Sequence, residues 1–488
     1  RELARRYVAH LAAHPELSLT DVCATANAGR ARLAHRLAIS AVDLDELCGR
    51  LEAVAAGESV AGVTAREAST GDPLRVAFLF TGQGSQSAGM AAGLYRREPV
   101  FRSALDRVVD LFDAELLLAS GGLSLTQVLH AAPGSADAAQ LDQTMFTQAS
   151  LFAVELALVD LWRSWGVVPS GLLGHSLGEI VAAVVAGVLS VEDGVRLVAA
   201  RGRLMQALPV GGSMLAVYAP AADVSAAVAA SAAAGAVLAV AAVNGPAHTV
   251  VSGAAADVSA LGEAFALRGV RVKALAVSHA FHSPLMQPMI DDFRSIAASL
   301  TYHPPRMRVV SNLTGAVIGR ELTDPEYWVR HVLAPVQFAA GVATLAEMGF
   351  DTFVEIGPHP VLSAMGQECV APGTGTWVPS LRRTHADDHM VVSVASLHLA
   401  GADIDWRQVE APHAARRVAF PTSPFEPQRF WVQRGRRSAV PSTSDHPLLG
   451  RRLPSPLATV TFQSEISTET LAILGDHRVF GTAILPPP

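Results

Sequence analysis

One serine stands in a glycine-flanked motif between an apolar run and a long segment with helical apolar spacing. Residues 170–174 (SGLLG) lead into Ser176 within the motif 174–178 (GHSLG), and residues 179–189 continue as the helical pattern. A strand, a sharp turn that carries a serine and a helix are the context of a nucleophile elbow. The segment therefore predicts an α/β fold. Because GxSxG also occurs by chance in tight turns, the serine needs partners before it indicates catalysis.

Another apolar run is predicted to form a buried strand that ends in a glycine-rich turn. Residues 76–80 (VAFLF) are the run, and residues 81–86 (TGQGSQ) are the turn. The turn could bring the backbone N–H of Gln83 beside the serine, where it would form half of an oxyanion hole. The backbone N–H of Leu177, at the positive end of the following helix, is the natural second donor. By itself, the glycine-rich turn is better explained as a plain strand-to-helix connection.

One histidine and one arginine are the further candidates for the site. His282 stands in residues 278–286 (SHAFHSPLM), where a predicted inserted subdomain returns to the main body and forms a natural cleft wall. The spacing shows no acidic partner, so a backbone carbonyl could orient the ring in a Ser–His dyad. Arg201 follows an apolar helical pattern. Its guanidinium either lies in solvent at the end of a helix, where positive charge is favourable, or binds a substrate carboxylate through two hydrogen bonds. The pattern leaves both alternatives open.

The pattern between residues 211 and 277 differs from the rest of the chain. It predicts the order β-α-β-β-α-β, at residues 214–218, 222–233, 237–243, 249–252, 256–267 and 270–277. This order is typical of a ferredoxin-like unit. We therefore expect an α/β-hydrolase-like large subdomain with an inserted ferredoxin-like small subdomain. An α/β N-terminal linker domain, with a predicted strand at residues 36–39, precedes them.

Composition excludes several classes of protein. The 488 residues carry a formal net charge of −7 without a basic stripe, so nucleic acid is not an expected partner. The uncharged stretch 224–247 is long enough to span a membrane, but its alanine, glycine, asparagine and proline favour a folded soluble core. Three separated cysteines favour a reducing compartment without a zinc site, and we expect a cytoplasmic location. The initial arginine suggests a piece of a longer protein.

Four segments together resemble the acyltransferase domain of modular type I polyketide synthases, whose relatives are the malonyl-CoA:acyl-carrier-protein transacylases. These segments are residues 80–86, 174–179, 201–202 and 279–282, and the resemblance extends over residues 74–370. One departure is Thr81, where proline is usual in the family. The resemblance implies transfer of malonyl groups from malonyl-CoA to the phosphopantetheine thiol of an acyl carrier protein, without a bound metal or cofactor.

The resemblance also implies roles for the residues that match the family's motifs. Ser176 is implied to be the nucleophile, and His282 is implied to be the general base. Arg201 is implied to bind the malonyl carboxylate. The backbone N–H groups of Gln83 and Leu177 are implied to form the oxyanion hole that stabilises the tetrahedral intermediate.

Further positions follow from the same resemblance. The backbone carbonyl of His331 is implied to orient the catalytic histidine. The run 279–282 (HAFH) resembles the malonyl-specific type, with His279, Phe281 and Gln148 as specificity residues. The phenyl ring of Phe281 would fill the space that the branching methyl group of methylmalonyl needs. A methyl group contributes about 1–3 kcal/mol to discrimination, so we expect real but imperfect selectivity.

The flanking segments resemble other parts of the same synthases. The resemblance divides the chain into a ketosynthase-to-acyltransferase linker, an acyltransferase domain, a following linker and the start of a dehydratase domain, at residues 1–72, 73–372, 373–445 and 446–488. Aromatic residues in the following linker predict that it is pinned to a folded surface, with a flexible joint at residues 433–445. His477 is implied to be the dehydratase proton acceptor. Because the second half of that domain is lacking, we expect neither dehydratase activity nor a stable fold there. Expected partners are the carrier protein and the ketosynthase and dehydratase domains of the synthase.

Three other functions remain open from the sequence. The domain could accept methylmalonyl or another extender unit. A serine hydrolase or thioesterase shares the GxSxG pattern, but that function leaves the Gln83 turn and Arg201 unexplained. A non-catalytic scaffold fragment of a synthase is the third alternative, and the intact set of Ser176, His282 and Arg201 argues against it.

Overall fold

The computed structural model describes residues 1–68, 74–383, 389–425, 446 and 448–485. The described residues fall into two compact units, Arg1–Pro424 and Phe425–Pro488. The first unit contains the N-terminal segment, both predicted subdomains and a large part of the linker predicted to follow them. The flexible joint predicted at residues 433–445 lies outside the described residues.

The N-terminal segment of the first unit combines helices with one antiparallel pair of strands. These elements are α1 (Glu2–Ala13), α2 (Leu19–Ala28), β1 (His35–Ile39), α3 (Leu44–Ala56) and β2 (Val63–Glu67). Ser18 and Asp43 cap the N-termini of α2 and α3, and their side-chain oxygens accept backbone N–H groups of the first turn. The strand predicted at residues 36–39 is confirmed as part of β1.

The large subdomain begins with a strand whose residues are all buried. Its first half consists of β3 (Val76–Phe80), α4 (Ala92–Arg97), α5 (Pro99–Leu116), α6 (Leu125–His130), α7 (Ala136–Ala139), α8 (Thr144–Ser164), β4 (Gly171–Gly174), α9 (Leu177–Val185) and α10 (Val191–Gln206). Among the described residues, α8 is the one helix long and apolar enough to cross a membrane, but 94% of its apolar window is buried inside the protein. Helices α5 and α10 pack against it, so α8 is a core helix.

The small subdomain is confirmed as a ferredoxin-like unit. Its elements are β5 (Gly212–Val217), α11 (Ala221–Ala233), β6 (Leu238–Gly245), β7 (His248–Ala254), α12 (Ala255–Leu267) and β8 (Val272–Ala274). The four strands form an antiparallel sheet in the order β6-β7-β5-β8. Their buried residues, among them Val217, Val251 and Phe265, form a separate hydrophobic core. The uncharged stretch 224–247 is divided between α11 and β6.

The chain then completes the large subdomain. The remaining elements are α13 (Ile290–Ala298), β9 (Arg308–Val310), β10 (Val317–Ile318), α14 (Pro325–Leu333), α15 (Phe338–Glu347), β11 (Thr352–Ile356), α16 (Leu362–Gln367) and β12 (Thr376–Pro379). The sheet order is β10-β9-β4-β3-β11-β12, and every pair except β10 with β9 is parallel. The loops that follow β3 and β4 therefore leave the same edge of the sheet, side by side.

The segment after β12 returns to the N-terminal segment. It contains α17 (His389–Ala400) and α18 (Trp406–Glu410). Trp377 in β12 stacks on Phe353 with ring centroids 4.1 Å apart. Farther along, Phe420 packs against Tyr7 with ring centroids 4.2 Å apart, inside the core of the N-terminal segment. These aromatic contacts pin the described part of the linker to folded surfaces, as the sequence predicts.

The second unit contains two short antiparallel pairs of strands. The strands are β13 (Arg451–Leu453), β14 (Thr461–Gln463), β15 (Arg478–Val479) and β16 (Thr482–Ala483), paired as β13-β14 and β15-β16. His477 precedes β15, and its Nδ1 atom lies 3.0 Å from the carbonyl oxygen of Ile484. Most described residues of this unit are exposed.

Candidate active site

Ser176 stands on a sharp turn between β4 and α9. Its dihedral angles, φ 51° and ψ −114°, are unusual for a serine, so the turn is strained. The flanking glycines permit it: a Cβ atom on Gly174 would lie 2.0 Å from the nitrogen of Glu179, and one on Gly178 would lie 2.3 Å from the oxygen of Phe80. The strand, strained turn and helix therefore form the elbow that the sequence predicts.

The imidazole of His282 lies beside the serine. The Oγ atom of Ser176 is 2.7 Å from Nε2 of His282, and Nδ1 of His282 is 2.8 Å from the carbonyl oxygen of Ala334. Because a carbonyl oxygen accepts and cannot donate, the hydrogen bond to Ala334 places the ring proton on Nδ1. Nε2 is then free to accept the proton of the serine hydroxyl. The two side chains form a Ser–His dyad, and no acidic side chain among the described residues contacts the histidine.

The carbonyl that orients His282 is that of Ala334, and the implied role of the His331 carbonyl is wrong. His331 lies inside α14, where the backbone carbonyls point along the helix axis. Ala334 follows the last helical residue and precedes Pro335, and a residue before proline is restricted to extended backbone. Its φ of −78° and ψ of 154° turn its carbonyl away from the axis and toward the imidazole.

The surroundings of His282 favour its neutral form. Its side chain is buried, and this burial holds the pKa of His282 well below the ordinary imidazole value. The positive charge of Arg201 lowers this pKa further, while the hydrogen bond to Ala334 acts in the opposite direction. The imidazole is therefore unprotonated at neutral pH, as a general base must be.

Arg201 is buried next to the nucleophile. It lies on α10 with 2% of its surface exposed, which excludes the alternative of a solvated helix end. Its Nη2 atom donates to Oγ of Ser176 at 3.1 Å. No acidic side chain among the described residues pairs with Arg201, and its buried Nε has no hydrogen-bond partner there. Burial lowers the pKa of Arg201 to about 10, so the guanidinium still carries its charge at neutral pH.

The two backbone groups predicted to form an oxyanion hole lie in adjacent loops. Gln83 follows β3, and a Cβ atom on its neighbour Gly82 would lie 2.7 Å from the carbonyl oxygen of His175, so this loop touches the elbow. Leu177 begins α9, and among the described residues its N–H has no acceptor, whereas the next N–H, of Gly178, donates to His175. Both loops therefore bring backbone N–H groups to the edge of the sheet where Ser176 lies.

The three predicted specificity residues are buried. Phe281 and His279 are 7% and 5% exposed, and their ring centroids are 6.2 Å apart. Nε2 of His279 lies 3.0 Å from the carbonyl oxygen of Leu208, which fixes the ring. Gln148, on α8, donates from Nε2 to the sulfur of Met205 at 3.4 Å. These contacts fix the two rings next to His282 in the sequence and hold Gln148 against α10, the helix that carries Arg201.

A buried polar network below the elbow was not predicted from the sequence. Nε2 of His331 lies 3.2 Å from Oε2 of Glu179, and both side chains are almost completely buried. The hydroxyl of Tyr327 donates to the other carboxylate oxygen of Glu179, and the N–H of Asn312 donates to Oε2 at 3.3 Å. The network ties α9, which carries the elbow, to α14, which leads to Ala334. Glu179, a carboxylate within the apolar pattern that follows Ser176, is the sequence feature that could have indicated this network.

A second unpredicted contact joins the subdomains at the site. Nε2 of His175, next to the nucleophile, lies 2.9 Å from Oδ1 of Asn244 in β6 of the small subdomain. Beside it, the N–H of Val243 donates to the carbonyl oxygen of Val336 at 2.8 Å. The small subdomain therefore forms one wall of the site and is hydrogen-bonded to the large one. No local sequence pattern shows a pairing over this distance.

Comparison with known families fits this geometry. The model of the acyl transferase domain matches residues 77–404, which include the dyad and Arg201. On either side, a CurL-like C-terminal region of polyketide synthases matches residues 1–51, and the polyketide synthase dehydratase domain matches residues 446–487. The chain belongs to the acyltransferase domains of modular type I polyketide synthases.

Individual relatives of this acyltransferase domain are parts of much longer proteins. Polyketide synthase GfsA of Streptomyces halstedii is 42% identical over the whole chain, which spans 6% of that protein. The spectinabilin polyketide synthase system protein NorB of Streptomyces orinoci is 41% identical, and the chain spans 22% of it. The chain thus covers a small part of the curated relatives that it matches.

Solved structures show the same α/β fold with a large and a small subdomain. The acyltransferase domain from the second module of the salinomycin polyketide synthase is 40% identical with a TM-score of 0.72, over 85% of this chain and 95% of that one. A malonyl-CoA:acyl carrier protein transacylase from Xanthomonas oryzae is 34% identical with a TM-score of 0.57, over 66% of this chain and 98% of that one. The acyltransferase domain is therefore related to malonyl-CoA:acyl carrier protein transacylases.

Proposed function

We propose that this acyltransferase domain transfers malonyl groups from malonyl-CoA, through an ester on Ser176, to the phosphopantetheine thiol of an acyl carrier protein. Arg201 carries the malonyl part of the proposal, because its buried guanidinium lies 3.1 Å from the nucleophile and has no acidic partner among the described residues. A buried charge without a counter-ion is costly, so this site favours a substrate that brings a carboxylate. In malonyl-CoA, one methylene group separates such a carboxylate from the thioester carbonyl. This short separation matches the short distance between the guanidinium of Arg201 and Oγ of Ser176.

The first half of the reaction forms the acyl-enzyme. Nε2 of His282 accepts the proton of the Ser176 hydroxyl while Oγ attacks the thioester carbonyl carbon. The N–H groups of Gln83 and Leu177 would stabilise the resulting oxyanion, and removal of one such donor typically costs about 10²–10³-fold in kcat. The carbon–sulfur bond then breaks, the leaving CoA sulfur takes the proton from His282, and malonate remains as an ester on the serine.

The second half reverses these steps with a different thiol. The phosphopantetheine thiol of the carrier protein gives its proton to His282 while its sulfur attacks the ester carbonyl carbon. The carbon–oxygen bond breaks, and the oxygen of Ser176 takes the proton back. Atoms and electrons balance in both halves without a change of oxidation state. The proposed chemistry therefore needs neither a metal nor a redox cofactor.

The residues before His282 support malonyl as the preferred extender unit over methylmalonyl. The ring of Phe281 is 7% exposed and belongs to the main hydrophobic core, so it is held in place. A methyl branch on the carbon next to the thioester would need space that such a ring fills. His279 and Gln148 would complete this wall through their contacts with the end of α10 and the residues that follow it.

We further propose the setting of the domain. The matches at both ends support a position between a ketosynthase and a dehydratase of one synthase. We place this synthase in the cytoplasm. The division at residues 1–72, 73–372, 373–445 and 446–488 is part of this proposal. His477 would be the dehydratase proton acceptor, and residues 446–488 alone would not dehydrate a substrate.

A two-stage transfer assay tests the proposed function. The protein is mixed with malonyl-CoA and then with a phosphopantetheinylated acyl carrier protein, and mass spectrometry measures malonyl-carrier and free malonate. The proposal predicts that malonyl-carrier forms faster than malonate and that Ser176→Ala forms neither. Rapid malonate release without malonyl-carrier would indicate a hydrolase. Absence of both products with the unmodified protein would indicate a scaffold.

A further inference from the structure

We propose that Glu155, Thr81 and Ser85 form a buried hydrogen-bond relay that positions the oxyanion hole. The relay ends on the peptide bond between Gly82 and Gln83 and so fixes the N–H of Gln83. The inference rests on the proposed acyl transfer at Ser176. It concerns residues that the reaction described above does not use, and it explains the departure at Thr81, where proline is usual in the family.

The contacts of the relay form a continuous chain from α8 to the loop after β3. Oε1 of Glu155 is hydrogen-bonded to Oγ1 of Thr81. Oγ1 of Thr81 lies 3.0 Å from Oγ of Ser85, and the Ser85 hydroxyl donates to the carbonyl oxygen of Gly82 at 3.1 Å. That carbonyl and the N–H of Gln83 lie in one planar peptide unit, so a bond that holds the carbonyl also aims the N–H.

Burial strengthens these hydrogen bonds and makes their loss costly. Thr81, Ser85 and Glu155 are 1%, 2% and 0% exposed, so water does not compete with the relay. In such surroundings a chain of hydrogen bonds strengthens each of its members, and a missing member leaves a costly unpaired group. The relay therefore holds one conformation of a loop whose glycines would otherwise leave it free to vary.

The carbonyl end of the relay sets its direction. The carbonyl oxygen of Gly82 can only accept, so the single proton of the Ser85 hydroxyl points to it. A continuous chain then requires Thr81 to donate to Ser85, and Glu155 to hold its acid proton and donate it to Thr81. Burial raises the pKa of Glu155 well above the ordinary carboxyl value, which favours this protonated form.

A proline at residue 81 could not take part in this chain, because its side chain has no hydroxyl group. The side chain of Thr81 also packs closely on the backbone, since a Cβ atom on Gly357 would lie 2.4 Å from its Cγ2. Thr81→Val keeps this methyl group and the side-chain shape while it removes the hydroxyl. The substitution therefore breaks the relay without opening a cavity.

The test compares four variants of the whole chain in steady-state malonyl transfer. Thr81→Val is expected to lower kcat about tenfold, less than the roughly 10²–10³-fold loss of an entire oxyanion donor, and to leave KM for malonyl-CoA unchanged. Thr81→Ser keeps the hydroxyl and is expected to retain activity. Glu155→Gln is also expected to retain it, because the amide N–H can donate to Thr81 as the acid does. Thr249→Val is the matched control, since Thr249 is 0% exposed and its hydroxyl donates to Ala219 in the small subdomain.

Two results would overturn the relay. One is an unchanged kcat in Thr81→Val, and the other is an equal loss of kcat in Thr249→Val, which would indicate a general cost of a buried hydroxyl. A fluorophosphonate probe makes the test independent of malonyl, because it phosphonylates an activated serine through the same oxyanion hole. If the unmodified protein reacts with the probe but does not load malonyl, the proposed substrate is wrong. In that case, slower reaction of Thr81→Val with the probe supports the relay, and an unchanged rate overturns it.

Discussion

Nη2 of Arg201 donates a hydrogen bond to Oγ of Ser176 at a distance of 3.1 Å. A buried positive charge therefore lies in direct contact with the nucleophile. Nε2 of His282 is 2.7 Å from the same oxygen atom. This arrangement suits a substrate whose carboxylate and reactive carbonyl are close together. A general esterase has no need of a buried guanidinium beside its serine, so this contact supports the proposed acyl transfer.

Arg201→Ala is expected to lower kcat/KM for malonyl-CoA by about 100-fold, which corresponds to the loss of charge-assisted hydrogen bonds to the malonyl carboxylate. The kcat/KM for acyl groups without a carboxylate, such as acetyl, should rise relative to that for malonyl. Competition between malonyl-CoA and acetyl-CoA measures this change. Arg203→Ala, an exposed arginine on the same helix, is the control and should behave as the unmodified protein. Unchanged malonyl loading in Arg201→Ala would exclude the assigned role.

The pH dependence of kcat/KM should show a depressed histidine pKa. In the proposed reaction the neutral form of His282 is the active one. Its pKa lies below the ordinary value of 6.5, so we expect the base to remain active as the pH falls through 6.5. The acidic limb of the profile is therefore expected below pH 6.5. Malonyl-N-acetylcysteamine is the suitable substrate because it lacks the phosphates of CoA. An acidic limb at or above pH 6.5 would contradict the role of a buried imidazole.

Phe281→Ser is expected to admit methylmalonyl. Removal of the buried ring creates space for a methyl branch, and one methyl group is worth about 10- to 100-fold in selectivity. The ratio of methylmalonyl to malonyl loaded from an equimolar mixture should rise by that order, while malonyl loading persists. The midpoint of thermal unfolding checks that the variant is folded. A folded variant with an unchanged ratio would show that selectivity lies elsewhere.

Glu179→Gln is expected to destabilise the large subdomain. The substitution replaces a carboxylate that accepts from Tyr327 and Asn312 and lies 3.2 Å from Nε2 of His331, and a buried polar group left without its partner typically costs about 1–3 kcal/mol in the free energy of unfolding. Urea denaturation followed by tryptophan fluorescence measures the loss. Glu347→Gln, at an exposed position of α15, is the matched control. Equal stability of the two variants would mean that these contacts contribute nothing to the fold.

Local features of the site could be predicted from the sequence. The elbow around Ser176 depends on two glycines and an apolar periodicity within a few residues, and the structure has the strand, turn and helix at that place. The order of elements in the small subdomain was predictable for the same reason. Alternation and helical spacing are short-range properties of a chain.

Long-range contacts could not be predicted in this way. His282 and Ala334 are 52 residues apart, and their hydrogen bond depends on where α14 ends and how the chain leaves it before Pro335. The pairing of Glu179 with His331 depends likewise on how α9 and α14 pack. The family resemblance placed the orienting carbonyl in the right segment but at the wrong residue, because the turn after α14 decides which carbonyl faces the imidazole.

Intact-protein mass spectrometry after mixing with equal amounts of malonyl-CoA and methylmalonyl-CoA tests the central claim most directly. We expect one covalent adduct with the mass of a malonyl group, mapped by peptide digestion to Ser176 and absent from Ser176→Ala. An adduct on another residue, a predominance of methylmalonyl on Ser176, or no adduct on the folded, unmodified protein would contradict it.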